Sequence, residues 1–205
     1  MKKIIYNTII LSLILSISGC SGKVRNMNVA PQKAVTLTTT KGKAKIIFIR
    51  PSFIASSIQS TIFEIKDKKP SIVGILPARK RVVYEVEPGK HLFMVIGESA
   101  DFMKADLLAD KTYVVFIAPR AGWIKARFSL EPIYKNTRRW EKIPYDIRRY
   151  KLLEISPNTL KWAKENSRSI QGKYRGYYDK WVQKDSESQP FLKKTDFIVN
   201  KSEFL

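Results

Sequence analysis

Few residues in this chain are of a type that does chemistry. His91 is the only histidine and Cys20 the only cysteine among 205 residues. A histidine pair for zinc and an H-E-x-x-H helix are therefore excluded, as is any disulfide within one chain. Glu85 and Glu87 stand two apart, which on a strand puts both carboxylates on one face, as glycoside chemistry would use them. Alternating acids on a solvated strand produce the same pattern. Gly97-Glu98-Ser99-Ala100-Asp101 carries the serine of a nucleophile elbow without its closing glycine, and it reads as a turn. Neither glycine-rich phosphate loop, G-x-G-x-x-G or G-x-x-x-x-G-K-[ST], occurs. The expectation is a chain with no catalytic residues, no metal and no cofactor, hence not an enzyme.

Cys20 asks for a separate explanation. Lys2 and Lys3 precede an apolar stretch, Ile4 to Ile17, interrupted by Asn7, Thr8, Ser12 and Ser16. A spanning helix needs about 20 apolar residues, whereas a charged start, a short apolar middle and small residues after it form a signal peptide. Ile17-Ser18-Gly19-Cys20 resembles the bacterial lipobox. That resemblance implies cleavage before Cys20, a diacylglycerol on its thiol and an acyl chain on its amine, with residues 1–19 as the leader. More than one acyl chain anchors stably where a single chain does not. Position 21 is Ser rather than the Asp that commonly retains such proteins at the inner membrane. The expected location is the cell envelope, at the outer membrane facing the periplasm in a Gram-negative cell.

Charge points to the neighbours. The formal charge is +20 and the pI about 10.0, and removal of Lys2 and Lys3 with the leader leaves +18. Such a surface suits an anionic partner, and export argues against nucleic acid. Apolar residues at 44% and aromatics at 11% are enough to pack one domain.

The elements that would position these residues fall in three stretches. Residues 20–43 lack periodicity, contain Pro31 and Gly42, and read as a tether; its root-mean-square reach is about 27 Å. From Ala44 the pattern becomes short β runs: Lys45–Arg50, Ser60–Ile65, Ser71–Leu76, Arg81–Glu87, His91–Gly97, Phe102–Leu108, Thr112–Ala118 and Trp123–Ile133. Turn formers such as Asp67, Pro88-Gly89 and Asp110 separate them. Eight strands at this spacing predict a mainly β domain over residues 44–133, an antiparallel sandwich or barrel.

Ala44-Lys45-Ile46-Ile47-Phe48-Ile49-Arg50-Pro51-Ser52, Pro88-Gly89-Lys90-His91 and Lys111-Thr112-Tyr113 resemble a family of bacterial lipoprotein β-sandwich domains of unknown function. The resemblance implies an immunoglobulin-like or transthyretin-like sandwich and brings no catalytic residues with it. In it the Pro-Gly-Lys-His turn is structural, reversing the chain so that His91 opens the next strand.

Residues 134–205 form a basic and aromatic C-terminal region. Ser156-Pro157 is a helix opening, and the helix is expected over about 157–184. Leu160, Ala163, Ser167, Ile170, Tyr174, Tyr177 and Trp181 follow at spacings of three and four, while residues 185–205 form a tail or a strap. Seven Lys/Arg lie within 135–151 and seven more within 160–184. Candidate contact residues are Arg138, Arg139, Trp140, Arg148, Arg149, Tyr150, Lys173, Arg175, Lys180 and Trp181. Three arrangements fit: aromatics packed on the sandwich with cations solvated, a helix lying on anionic lipid, or a helix docking an acidic envelope protein. The expected function is a lipid-anchored, non-enzymatic envelope accessory or adaptor. A module that binds or processes cell-wall glycan is the alternative.

Overall fold

The computed structural model describes Val24 and residues 26–31, 38–120 and 127–198. The expected leader, Cys20, the start of the last expected strand at Trp123 and the chain beyond 198 lie outside the described residues. All the other expected strands are present: β2 (Ala44–Arg50), β3 (Ser60–Lys66), β4 (Lys69–Leu76), β5 (Lys80–Val86), β6 (Gly89–Ile96), β7 (Ala100–Leu107) and β8 (Thr112–Arg120). β9 is described over Arg127–Ile133. Local chemistry sets their ends. Asp67 and Lys68 both take positive φ (50° and 62°), the two-residue turn whose twist matches a right-twisted hairpin.

The molecule is a two-sheet β-sandwich with C-terminal helices. Three further strands complete it: β1 (Met27–Val29), β10 (Lys151–Ile155) and β11 (Phe191–Leu192). One sheet runs β1-β10-β5-β2-β8-β9 and the other β11-β7-β6-β3-β4. Most neighbours are antiparallel, as expected, but β2/β8, β5/β10 and β7/β11 are parallel. Connections that cross between sheets explain the first of these. Each connection reverses the chain, so β8, six connections after β2, runs in the same direction. Pro88 is one such crossing. It carries the chain from β5 in one sheet to β6 in the other, with Gly89 at φ +119°, so it turns a corner rather than closing a hairpin.

Two expected boundaries are corrected. Residues 20–43 are not all tether, because Met27–Val29 pair with Leu153–Ile155. The sandwich does not end at 133 either, because β10 sits between β1 and β5, and the tail lies along the start of β8 with Ile198 N–H donating to Thr112 O at 2.8 Å.

Side chains pack in three apolar layers. Phe48 and Phe93 meet edge to face at 5.5 Å between the sheets, together with Val115 and Leu130. The outer face of the first sheet, Ile47, Ile49, Val114 and Phe116, lies under Ile143, Ile147 and Tyr150 of helix α1 (Ile143–Arg149) and its C-cap. The outer face of the second, Phe63, Met94 and Phe102, is covered by a later helix. Cover on both sides explains why every residue of β2 is buried.

The expected helix over 157–184 is two helices, α2 (Pro157–Glu165) and α3 (Ser167–Val182). Ser156 and Thr159 form the reciprocal cap at its start, with Pro157 at the first helical position. Asn166, whose side chain donates to Trp162 O at 2.8 Å, separates the two. Ile170, Tyr174 and Trp181 of the expected stripe face the sheet, the first of the three arrangements, but Tyr177 is 38% exposed and Leu160 is 55% exposed. Tyr178 takes the inward place, stacked on Tyr174 at 5.2 Å. Spacings of three and four both satisfy a helical stripe, and only the sheet beneath chooses between them.

Candidate interaction surface

The one histidine belongs to a closed polar network between the sheets. Glu64 on β3 is buried and accepts from His91 Nδ1 at 2.7 Å, Lys66 Nζ at 2.9 Å and the Tyr84 hydroxyl. His91 Nε2 lies 2.9 Å from the Glu87 carbonyl. Burial by itself would raise the Glu64 carboxyl, but hydrogen bonds from His91, Tyr84 and Lys66 and the Lys66 charge outweigh it and hold the group at about 2. Burial and the Glu64 carboxylate push the Tyr84 phenol up.

A carboxyl depressed in the folded state stabilises above its unfolded value, 4.5, and that contribution disappears as pH falls toward about 2. The amount is about 3 kcal/mol at full ionisation. Urea unfolding between pH 7 and pH 3 should show wild-type stability falling through this window, and Glu64→Gln should lack that part of the slope. The same pH dependence in both proteins would show that Glu64 does not carry it.

Glu85 and Glu87 are each engaged by a lysine. Glu85 pairs with Lys45 at 3.3 Å and accepts from the Thr40 backbone N–H at 3.1 Å, while Glu87 pairs with Lys43. Burial raises the Glu85 carboxyl and the bonds from Thr40 and Lys45 lower it, with a net depression. That is opposite to what a general acid needs. The pair instead holds the segment leading into β2. Gly97–Ser99 is the β6–β7 turn, closed by Gly97 N–H to Ser99 O at 3.0 Å, and Asp101 pairs with Arg120 at 2.8 Å.

The candidate contact residues separate by chemistry. Arg138, Arg139, Arg148, Arg149, Arg175 and Lys180 are exposed. Trp181 at 2% exposure and Tyr150 at 8% are buried and cannot touch a partner, and Trp140 is half-buried against the outer face of the first sheet. Lys173 is turned to the β6–β7 corner, donating to Gly97 O at 2.8 Å and Glu98 O at 2.9 Å. The two basic groups also part company, since α1 covers one sheet and α3 the other.

What the structure adds is the end of the sandwich where β2 passes to β3. Buried Arg50 donates to Ile58 O at 2.5 Å, Ala55 O at 2.7 Å and Leu76 O at 3.0 Å, with its guanidinium 4.4 Å from the Phe128 ring centroid. Burial lowers that guanidinium to about 10, so it stays charged at neutral pH. The loop pinned in this way, 51–59, presents Phe53 at 44% and Ile54 at 72% exposure. Arg79 lies over the Phe53 ring at 5.1 Å, Tyr150 donates to Pro51 O at 3.4 Å, and Arg149 lies over exposed Tyr145 at 5.4 Å. Lys151 is in register with Lys80, whose ammonium is depressed by burial and by the Lys151 and Arg79 charges. Among the described residues, Arg79, Lys80, Arg149 and Lys151 have no carboxylate at ion-pair distance. Phe53-Ile54, an apolar pair set between Pro51-Ser52 and Ser56-Ser57, was the one sequence signal for this corner.

Comparison with protein-family models finds no match, and comparison with curated protein sequences finds none either. No helix among the described residues is long and apolar enough to cross a membrane.

Proposed function

We propose that this chain is a lipid-anchored envelope protein, acylated at Cys20, that acts without catalysis as an accessory or adaptor at the outer membrane. The observation that carries the reading is the way the chain just after Cys20 joins the fold. β1 begins seven residues after the cysteine and is hydrogen-bonded to β10. The Asn26 carbonyl just before it accepts from the Ser156 hydroxyl at 3.2 Å. The four residues from Cys20 to Val24 span at most about 14 Å fully extended, so the anchor would hold the sandwich against its membrane rather than a domain's width away. The likeness of Ala44–Ser52 and Pro88–His91 to envelope lipoprotein domains points the same way. So do the exposed cations of the C-terminal region, which suit an anionic neighbour. A glycan-processing role would need carboxylates converging on a cleft, whereas Glu85 and Glu87 are each engaged by a lysine.

Mass spectrometry of the protein extracted from membranes should show an acylated cysteine at the N-terminus, corresponding to Cys20. Cys20→Ser should move most of the protein from the membrane to the soluble fraction, because surface charge alone does not replace two or more acyl chains. An unmodified thiol, or unchanged fractionation of the variant, defeats the reading.

A further inference from the structure

We propose that the 51–59 loop is a membrane-inserting tip: Phe53 and Ile54 enter the interface of an anionic phospholipid bilayer while Arg79, Arg149 and Lys151 engage its headgroups. The proposal deepens the anchored reading by naming the surface that meets the lipid.

Three independent observations meet at this corner. First, two consecutive large apolar side chains are exposed at the apex of a loop, Ile54 at 72%. The loop is held from within by Arg50 on its own carbonyls and by the Ile58 N–H donating to Ala55 O at 3.0 Å. It is therefore presented in a set conformation and pays little ordering entropy on binding. Second, the cations beside it have no carboxylate partners among the described residues, and Arg79 and Arg149 are already layered on aromatic rings. An apolar tip with arginines and a tyrosine behind it is the composition that suits headgroup depth. An acidic protein partner would satisfy the charges but would leave Ile54 without a reason to project.

Third, chain length puts the expected anchor on the same side. Gln59, where the loop ends, lines a cavity of about 230 Å³ together with Asn26, just ahead of β1. Val24 packs on the same central core as Ala55 and Ile58. Cys20 is four residues before Val24. Four residues span at most about 14 Å fully extended. A diacylated cysteine so tethered brings the bilayer to this corner, and not to the Asp67–Lys68 turn at the far end of β3.

The test places an environment-sensitive fluorophore on Ile54→Cys in the full chain, reconstituted into vesicles of phosphatidylglycerol with phosphatidylethanolamine or of phosphatidylcholine alone. Wild type treated with the same reagent supplies the baseline, and Lys68→Cys reports the far end. The expected result is a blue-shifted, brighter emission at position 54 in the anionic vesicles only, reduced at high salt because these charges are exposed. Position 68 should stay water-like throughout. Arg79→Gln with Arg149→Gln should return position 54 to a water-like signal. Lys69→Gln with Lys90→Gln, the same charge loss at the far end, should not. Water-like emission at 54 in anionic vesicles, or equal emission in both lipids, overturns the tip. The mass of the same preparation reports acylation separately. A free thiol at Cys20 would defeat the anchor reading while the position-54 signal, with protein added to preformed vesicles, still decides the tip.

Discussion

Arg50→Ala is expected to cost about 4 kcal/mol, because it strips the part-buried Ile58 carbonyl of its donor, leaves Ala55 O with the Ile58 N–H alone, and removes the buried guanidinium from the Phe128 face. Leu76 O is spared, since the Ser60 hydroxyl also donates to it at 3.0 Å. Arg50→Lys keeps the charge but not the planar fork that reaches several carbonyls at once, so a loss of about 2 kcal/mol is expected. Urea unfolding measures both. The variants also separate stability from function. With Arg50→Lys still folded, hydrogen exchange should rise first at the Ile58 amide and across 51–59, and the exposed pair Phe53-Ile54 should lose its set presentation. A cost below about 1 kcal/mol for Arg50→Ala would mean that the loop carbonyls rehydrate freely and that the arginine does not hold the tip.

Trp181→Ala is expected to destabilise the protein by about 3–4 kcal/mol in the absence of any membrane. The indole is 2% exposed, packs on Phe102 at a ring distance of 5.7 Å and on Tyr178 at 6.3 Å, and has Lys104 Nζ 5.3 Å above it. Its removal leaves a cavity where α3 meets β7, a site closed by both elements. Tyr177→Ala, on the solvent side of the same helix, should change stability by less than about 0.5 kcal/mol. Equal small effects for both would mean that the helix does not depend on the sheet for support. A large effect for Trp181 alone identifies the second sheet as what the stripe covers, leaving Arg175 and Lys180 as the outward face.

Local signals in the sequence were enough for much of this fold. Turn formers such as Asp67 and Asp110 act on their own backbone, and alternation within one strand is a property of that strand. The expected strands therefore stand within a few residues of the observed ones. The Ser156-Pro157 helix start was legible for the same reason, since the cap involves residues three apart. Lys151–Ile155 and Met27–Val29 were not legible as strands. Lys151-Leu152-Leu153-Glu154-Ile155 sits in a basic stretch, and three residues of β1 carry no period, so both are strands only because an open sheet edge offers hydrogen bonds from residues far along the chain.

The same distinction divides the chemistry. Composition decided what the chain lacks, because one histidine and one cysteine exclude whole classes of site in any fold. Cys20 stood out because a leader is read linearly. Tertiary structure alone joined Glu64, Tyr84 and His91, which come from three strands and two sheets, and turned Arg50 inward onto the loop that follows it. It also buried Tyr150 and Trp181, which the sequence offers as contact residues, and exposed Phe53 and Ile54 instead. Hydrophobicity states that a side chain gains by leaving water; which side chains can leave depends on how many faces the sheets have to cover, and that is settled only when strands distant in sequence pair.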